Sequence, residues 1–556
     1  MPASFGSRRK GGGCSSPTRW NGETVRGPER RRPPEDPVNG SHRRQRRPLA
    51  FRLHSLLGLK LSLLTLFVCL TGTLAVVSDE IDWLLRPAVR ATATDTPATW
   101  GEQLAAARRA YPGHVITFAI AGEEPYLATR FSATDRSGDQ RVIYVDPAGA
   151  VVRGEADWIS VVSVLRALHY LLFAPGDWGF FLVTSLGGVL AGALVTGLIT
   201  YKKFWRGFFR LPRTAKGARV LWGDVHRLIG LWSIWFVFLM AVTSLWYLGE
   251  RVLYRAGVDL DVPRPAIAEE VLDAMGPEVP RPLPLDSLIA RASVALPGLS
   301  VRQLWLPTEP ESPLAVRGQA AAWLVRDRAN GVEVNPLTGA IMAVDRVEDM
   351  TPLGRWVQTA DPLHFGDFAG LASKLVWVGF GLLLSLSALT GVLIYLRRLR
   401  SAPSLIRLRF LGPLRWPSLV AVGIVPVGCF LLFWLPGTAA DGLGAHAAGS
   451  GPVGRWQAEA GADRSPARND DRPVRWRVRL CVGCYDLLRE AALAYGDAAG
   501  PDPAARRRLA GDANRLSAVL PPLSSQEAPR RLWLVLRDWS GAEHTVSWPL
   551  FEPKTD

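Results

Sequence analysis

Residues 221–250, LWGDVHRLIGLWSIWFVFLMAVTSLWYLGE, include 22 consecutive residues without a charged side chain. The uncharged run begins at Leu228, two residues after His226, and ends at Gly249. A helix of about 20 apolar residues is long enough to cross the hydrocarbon core of a bilayer. The stretch therefore predicts a membrane-spanning helix that carries a histidine at one end.

Four further stretches have the same apolar composition, and each is rich in Leu, Val, Phe and Trp. They are residues 55–77, 178–201, 375–396 and 416–440. The sequence thus predicts five spans and an integral membrane protein, which excludes a soluble enzyme. With 5 cysteines in 556 residues, it also excludes a secreted scaffold built on many disulfides.

The excess of 65 Lys and Arg over 50 Asp and Glu is concentrated in three segments. Residues 1–50 hold twelve basic and four acidic residues, and the loops 202–219 and 397–415 are basic with no acid. Positive loops stay on the cytoplasmic side of a membrane. We therefore expect a cytoplasmic N-terminus and a periplasmic C-terminal segment. The charge predicts contact with the lipid bilayer and no binding of nucleic acid.

The chain contains an internal repeat. Arg52-Leu-His54-Ser-Leu-Leu-Gly58-Leu matches Asp224-Val-His226-Arg-Leu-Ile-Gly230-Leu, and a threonine, Thr71 or Thr243, lies seventeen residues after each histidine. The second and fourth spans also match. A Leu-His pair precedes each of them, and each ends in Thr-Gly and a basic cluster: Leu168-His169, Leu363-His364, Thr196-Gly197 and Thr390-Gly391.

The segments between the paired spans repeat as well. Asp146-Pro147-Ala-Gly149 and Asn335-Pro336-Leu-Thr-Gly339 have the composition of hairpin turns. Upstream of each turn, residues 100–111 and 285–296 have apolar residues at helical spacing. The predicted unit is a span, a small extracytoplasmic α+β domain and a second span. It occurs twice in parallel orientation, which places equivalent residues around an axis along the membrane normal.

Four of the eight histidines occupy repeat-equivalent positions at the ends of spans. The predicted topology places His54 and His226 at the cytoplasmic face, and His169 and His364 at the outer face. Two imidazoles that face each other across an apolar slot can supply both axial ligands of a haem iron. Glycines nearby could let a flat macrocycle approach the helices: Gly58, Gly187, Gly188, Gly230 and Gly379.

Two other interpretations of these histidines remain. Each could be an interfacial residue whose polar edge reaches lipid headgroups. A zinc site is the other alternative, but no Cys, Asp or Glu joins either pair at a familiar ligand spacing.

The chain resembles the PepSY-associated transmembrane family, iron-regulated inner-membrane proteins of bacteria. The resemblance covers about residues 50–400. It rests on Arg52-x-His54-x-x-x-Gly58, on Asp224-x-His226-Arg227-x-x-Gly230, on the two Leu-His pairs and on the two Asp/Asn-Pro turns. It implies a membrane reductase that carries haem b and releases iron from ferric siderophores. The haem-ligand role is carried over only to the four matched histidines.

The predicted fold class is an α-helical integral membrane protein. Two units, each a span, a PepSY-like α+β domain and a span, precede a fifth span and a small C-terminal α+β segment. The predicted division is a disordered tail 1–50, spans 51–77, 169–201, 226–249, 364–396 and 416–440, PepSY-like domains 78–168 and 250–363, cytoplasmic loops 202–225 and 397–415, and a linker with a periplasmic segment 441–556.

The C-terminal segment begins with a Gly- and Ala-rich stretch, residues 437–470, which predicts a linker, and it contains Cys481-Val-Gly-Cys484. Residues 475–480 have a strand pattern and residues 485–495 a helical one, and a hairpin is predicted over residues 531–548. A Cys-x-x-Cys between strand and helix is typical of thiol redox sites, whereas a plain disulfide is common outside the cytoplasm. A structural disulfide, a redox pair and a metal site therefore stay open for Cys481 and Cys484.

The predicted function is electron transfer outward across a bacterial inner membrane. His54 and His226 would hold one haem b, and His169 and His364 a second. A ferric siderophore or another ferric chelate would accept the electrons. The chain has no Walker or dinucleotide-binding glycine motif, so the donor would be another protein, a quinol or a diffusible flavin. The alternative is a PepSY membrane protein without enzyme activity that binds or senses a peptide or a partner.

Overall fold

The computed structural model describes residues 49–550, apart from residues 61, 136–138, 158, 175–176, 259–263, 276–280, 401–445, 464–472, 482–487, 498, 502, 513–514 and 523–530. The helices are α1 (Leu49–Lys60), α2 (Ser62–Val76), α3 (Ser78–Leu85), α4 (Trp100–Ala110), α5 (Val161–Arg166), α6 (Trp178–Thr200), α7 (Ala218–Trp232), α8 (Ile234–Arg255), α9 (Glu269–Asp273), α10 (Leu285–Ala295), α11 (Pro352–Phe365) and α12 (Gly370–Arg400).

Three described helices are long and apolar enough to cross a membrane. They are α6, α8 and the part of α12 from Gly370 to Arg397. A fourth candidate consists of α2 and α3, between which the chain bends by 62°. The prediction of five spans is therefore wrong for the described residues, and residues 416–440, predicted as the fifth span, lie outside them.

Six helices group into four apolar elements: α1 with α2, α6 alone, α7 with α8, and α12 alone. These elements form a ring in which each packs on two neighbours. Helix α6 contacts α1 at one end and α8 at the other, and α12 contacts α7 and α2 in the equivalent way. Gly187 shows how closely the helices approach, because a Cβ built there would lie 2.9 Å from Ser244 Cβ on α8. Small residues permit such approach between helices in a bilayer. The two spans of each half are thus neighbours in the ring, and the second half follows the first around one central axis.

The segments between the paired spans form a single antiparallel sheet. Its strands are β1 (Val115–Ile120), β2 (Thr129–Thr134), β3 (Gln140–Asp146), β4 (Val151–Asp157), β5 (Ser300–Trp305), β6 (Leu314–Gln319), β7 (Asn330–Val334) and β8 (Ile341–Asp345). The order is β4-β3-β2-β1-β5-β6-β7-β8. Strands β1 and β5 pair through Phe118↔Trp305, Ala119↔Leu304 and Ile120↔Gln303. The two predicted domains are therefore joined by backbone hydrogen bonds.

The helices and turns that the local sequence predicts around this sheet are formed. Helix α4 begins with a capping box in which the Thr99 side chain accepts from the Glu102 backbone. The turns after Asp146 and Asn335 connect β3 to β4 and β7 to β8, with Gly149 and Gly339 at positive φ. Helices α4 and α10 share one core with the sheet, around Ala107, Ala292, Ile143 and Val332.

The C-terminal segment consists of strands in the part that the structure describes. They are β9 (His446–Val453), β10 (Trp456–Ala462), β11 (Val474–Leu480), β12 (Leu488–Gly496), β13 (Arg507–Arg508), β14 (Ala510–Asp512), β15 (Arg515–Leu520), β16 (Arg531–Asp538) and β17 (Glu543–Pro549). A five-stranded and a four-stranded antiparallel sheet enclose a core that contains Trp456, Trp476, Leu493 and Leu534.

Two predictions for this segment are wrong. The residues predicted as a helix, 485–495, overlap β12, which pairs with β16 over its length. Residues 446–462, predicted as linker, form β9 and β10. Leu, Ala and Glu favour helices by fractions of a kcal/mol per residue, and burial of Ala491 and Leu493 between the sheets outweighs that preference. With three antiparallel sheets, the predicted α-helical fold class is incorrect.

The C-terminal sheets contact the second half of the eight-stranded sheet. Arg489 pairs with Asp273 of α9, and Arg508 pairs with Glu311 in the segment between β5 and β6. Trp539 packs with Ile267 and Leu272. These contacts place the C-terminal strands at the end of the protein that carries the eight-stranded sheet.

Candidate functional site

Four histidines of the repeat lie in two pairs inside the helix ring. His54 on α1 and His226 on α7 have ring centroids 6.2 Å apart. His169, in the π-helical turn Ala167–Leu171, and His364 on α11 have centroids 6.3 Å apart. We call His169 and His364 the sheet-side pair, because they lie where the spans join the eight-stranded sheet, and His54 and His226 the distal pair. The structure brings together the residues that the repeat predicts as partners.

Both rings of the distal pair are held at Nδ1 by a turn of a neighbouring span. His54 Nδ1 lies 3.1 Å from the Ala193 carbonyl and 3.2 Å from Thr196 Oγ1 on α6. His226 Nδ1 lies 3.0 Å from both the Ser387 carbonyl and Thr390 Oγ1 on α12. A carbonyl oxygen can only accept, so Nδ1 carries the proton in both rings.

The sheet-side pair is held in a related but unequal way. His169 Nδ1 donates to the Val68 carbonyl of α2 at 3.0 Å. His364 Nδ1 lies 2.8 Å from Thr243 Oγ1 of α8, and the Thr243 hydroxyl donates to the Leu239 carbonyl at 2.9 Å. Because that hydroxyl hydrogen is engaged, His364 Nδ1 is the donor to Thr243. In all four rings, Nε2 makes no hydrogen bond to a described residue.

Small residues allow three of these rings to approach a neighbouring helix. A Cβ built on Gly72 would lie 2.6 Å from His169 Cε1, so only glycine fits at that position. A Cβ built on Gly197 or Gly391 would lie 3.4 or 3.8 Å from Cε1 of His54 or His226, an ordinary van der Waals distance, so these rings also lie against the helix but do not require glycine. Each glycine directly follows a threonine of the repeat, Thr71, Thr196 or Thr390. Each of these Thr-Gly pairs is therefore a place where a histidine ring packs on a neighbouring span.

Two imidazoles per site suit a metal cofactor that itself supplies most of the ligands of its metal ion. Among the described residues, no group of three or more His, Cys, Asp or Glu could hold a metal ion, so a zinc site gains no support. Metal–imidazole bonds of about 2.0–2.1 Å would place the centroids of two axial rings about 6.3 Å apart. The observed centroid distances agree with that value. Haem b fits both pairs, since the porphyrin supplies the other four ligands.

The glycines proposed to face a macrocycle fall into two groups. A Cβ built on Gly188, Gly230 or Gly379 would meet no atom within 4 Å, so these positions border open space. Gly187 instead serves the contact between α6 and α8. The side-chain surroundings of Gly58 lie outside the described part of the chain.

A polar network extends from the sheet-side pair toward the eight-stranded sheet. The Tyr247 ring lies edge-on to His364 at 5.3 Å, and its hydroxyl donates to Asp361 Oδ1 at 2.8 Å. Arg326, in the loop between β6 and β7, donates to the same Asp361 oxygen at 3.0 Å. No local motif connects Tyr247 with Asp361, so sequence reasoning missed this contact.

A buried lysine ties α12 to the first half of the sheet. Lys374 Nζ lies 2.6 Å from Glu123 and 3.2 Å from Glu80 and is only 3% exposed. Asp367, in the turn before α12, has a pKa raised to about 6 by burial and by the charges of Glu123 and Asp327. This cluster lies next to the sheet-side pair, and the sequence analysis did not identify it.

A carboxylate holds the connection between α6 and α7 in place beside the distal pair. Asp224 is 2% exposed and accepts from Arg213 Nε at 2.8 Å and from Arg227 Nη2 at 2.6 Å. The hydrogen bond from Arg213 holds the pKa of Asp224 well below its usual range. Trp232 Nε1 also donates to the Phe208 carbonyl at 2.9 Å. The basic loop is thus fixed to the helix that carries His226.

Cys481 is disulfide-bonded. Cys484 lies outside the described residues, so the predicted pairing with it stays a prediction. The strand β12 occupies residues 488–495 of the stretch predicted as a helix after the cysteines.

A groove of about 1050 Å³ lies where α4 meets the N-terminal end of α10. Its lining includes Thr96, Glu102, Arg108 and Asp286. Asp286 accepts from Thr99 Oγ1 at 2.8 Å and from the Gly101 backbone at 2.9 Å, which joins the two halves of the repeat. This groove is the feature most relevant to the alternative of peptide binding.

Comparisons with known proteins agree with this division of the chain. The sequence model of the family described as PepSY-associated TM region matches residues 51–398. A second model, of an uncharacterised conserved protein family, matches residues 418–551. The uncharacterized protein PA4219 of Pseudomonas aeruginosa is 27% identical over 311 residues, which cover 49% of this chain and 72% of that protein. The matched regions separate the histidine-bearing part from the C-terminal strands.

Proposed function

The chain belongs to the PepSY-associated transmembrane family, and from this premise we propose that it carries electrons across a bacterial inner membrane on two haem b groups. The observation that carries the proposal is the geometry of the two histidine pairs. Each pair has a centroid distance suited to one six-coordinate iron, and every Nδ1 has a hydrogen-bond partner. A histidine that donates through Nδ1 presents Nε2 as a ligand.

The chain's own residues would bind and orient the cofactor. His54 and His226 would hold one group and His169 and His364 the other, with ring orientation set by α6, α12, α2 and α8. Bound there, haem supplies one-electron chemistry at an iron without an open coordination position. Seventeen residues, or about 25 Å of helix rise, separate His226 from Thr243, which holds His364. The pairs would thus divide the membrane crossing into shorter steps.

The direction of transfer is proposed from the charge distribution. The loop that Arg213 and Asp224 fix to α7 is basic, which favours the cytoplasm for the distal end. The sheet end, to which the C-terminal strands are attached, would then face the periplasm. The acceptor would be a ferric siderophore or another ferric chelate, in which each Fe(III) takes one electron. A quinol, a reduced flavin or a reduced protein would supply electrons at the distal end.

Reduction would release iron because Fe(II) is less charged and softer than Fe(III). Hard oxygen chelators therefore hold it more weakly. On this proposal the protein acts as a ferric-chelate reductase, and the rival function is a peptide-binding protein that contains no haem.

The deciding experiment is a reduced-minus-oxidised absorbance spectrum of the purified full chain in detergent. We expect two haem b groups per chain. His54→Ala or His226→Ala should remove about half of the haem, and His169→Ala or His364→Ala should remove the other half. His114→Ala is the control, because His114 pairs with Glu155 on the sheet, and its haem content should equal that of the wild type. A colourless protein, or full haem in all four variants, contradicts the proposal.

A fusion experiment tests the orientation. A reporter inserted after Arg213 should be active only as a cytoplasmic reporter, since the basic loop is proposed to stay inside. Periplasmic activity at that position would reverse the direction of electron flow while leaving the haem assignment intact.

A further inference from the structure

The two histidine pairs differ in what their Nδ1 protons meet. Both rings of the distal pair donate toward a backbone carbonyl, of Ala193 or Ser387, and each also contacts a threonine hydroxyl. In the sheet-side pair only His169 reaches a carbonyl, that of Val68. Among the described residues, the Thr243 hydroxyl is the one acceptor for His364 Nδ1. The sheet-side pair therefore has fewer and weaker acceptors.

The strength of that acceptor controls how strongly an imidazole donates electrons. A carbonyl accepts a stronger hydrogen bond than a neutral hydroxyl and gives the ring more imidazolate character. A more basic axial ligand stabilises Fe(III) relative to Fe(II) and lowers the reduction potential. The pair with two carbonyl acceptors should thus hold iron at the lower potential.

Charged groups near the two pairs are compensated locally. Asp224, two residues before His226, is paired with Arg213 and Arg227. Asp361, three residues before His364, is paired with Arg326. Asp367, three residues after His364, is the exception, and its negative charge would lower the sheet-side potential. Apart from Asp367, the hydrogen bonds to Nδ1 are the difference between the pairs.

We propose that the Thr243 hydroxyl, used in place of a backbone carbonyl at His364, makes the sheet-side iron the higher-potential one, so that electrons flow downhill from the distal pair to the sheet side. This inference rests on the proposed function, because it assigns an order to the two haems. Thr243 is a positioning residue in this scheme: it acts through His364 and contacts no substrate.

The repeat provides matched controls for Thr243. Thr71 is its counterpart in the first half, but its hydroxyl donates to Phe67 and Val68 and makes no hydrogen bond to His169. Thr390 contacts His226, which keeps the Ser387 carbonyl if the hydroxyl is removed. Among the described residues, Thr243→Val therefore removes the one acceptor of His364, whereas His169 and His226 keep a backbone carbonyl in Thr71→Val and Thr390→Val.

The test is a redox titration of the purified full chain, followed by absorbance. His54→Ala and His169→Ala first identify which component belongs to which pair. We expect the sheet-side component to have the higher midpoint potential in the wild type. Thr243→Val should shift that component to still higher potential without changing haem content. Thr71→Val should leave it unchanged, and Thr390→Val should shift the distal component less than Thr243→Val shifts the sheet-side one.

The outcomes separate this inference from the proposed function. Two haems in the reverse order, or equal shifts from Thr71→Val and Thr243→Val, would overturn the inference and leave haem binding intact. A colourless protein would overturn the proposed function and the inference together.

Discussion

The two halves of the repeat share the geometry around the distal histidines and differ at the sheet-side histidines and in the polar groups near them. In each half a histidine on the first span donates to the second span of the same half, through Ala193 or Ser387. The third residue after the sheet-side histidine is buried Leu172 in the first half and Asp367 in the second. The first turn of α6 (Trp178–Phe181) is uncharged, whereas α12 carries Lys374 in its second turn.

This difference shows which parts of the duplication are constrained. A Thr-Gly pair recurs at Thr71, Thr196 and Thr390, where a histidine ring packs on a helix whose carbonyl accepts from Nδ1. At Thr243 the next residue is Ser244, and the threonine hydroxyl is the acceptor. The charged groups need not recur, because one lysine from the second half can satisfy two glutamates of the first. The asymmetric contacts then join the halves and fix the sheet over the spans.

The largest effect should come from Lys374→Met, which removes a buried cation and leaves the half-buried Glu80 and Glu123 without their partner. Removing one partner of a buried ion pair lowers the free energy of unfolding by about 3–5 kcal/mol. Chemical unfolding of the purified protein in detergent measures the loss. The double variant Lys374→Met/Glu123→Gln should recover part of it. A loss below about 1 kcal/mol in the single variant would show that this ion pair does not hold the halves together.

Asp367→Asn tests the carboxylate that the second half has at the position equivalent to Leu172 in the first half. Since burial raises the pKa of Asp367 to about 6, the ionised form is disfavoured in the folded protein. That penalty is absent below about pH 4, develops between pH 4 and 6, and is constant above pH 6. We expect the variant to be more stable than the wild type at pH 8, by at most about 3 kcal/mol, and equal to it at pH 4. Thermal unfolding across this pH range measures the difference, and a pH-independent difference would contradict the assignment.

The smallest effect should come from Tyr247→Phe, at a site where the first half has Ala75. The substitution removes one hydrogen bond to Asp361, which keeps its pair with Arg326. We expect the free energy of unfolding to fall by about 0.5–1.5 kcal/mol. The exposed Tyr254 provides the control, because Tyr254→Phe should change stability by less than about 0.5 kcal/mol. Equal changes in the free energy of unfolding for Tyr247→Phe and Tyr254→Phe would mean that the hydrogen bond from Tyr247 to Asp361 does not stabilise the second half.

Several features of the fold followed from local sequence patterns. The turns after Asp146 and Asn335 were predictable because Asp/Asn-Pro and a following glycine specify the backbone by themselves. The pairing of histidines by membrane face was predictable because equal spacing in two parallel repeats gives equal depth. The helix expected over residues 485–495 failed because its helix-forming residues are buried in pairing with β16, a strand distant in sequence.

The sequence by itself determined the apolar spans 178–201, 226–249 and 375–396, which overlap three of the described helices, the repeat, and which histidines share an end of the bundle. Length, hydropathy and spacing are sufficient for these, since each depends on neighbouring residues or on periodicity. Only the tertiary structure decided that β1 and β5 join the halves into one sheet, that Lys374 lies between Glu80 and Glu123, and that His364 donates to Thr243 and not to a carbonyl. Those contacts join residues far apart in the chain, and packing geometry selects them among many partners of similar chemistry.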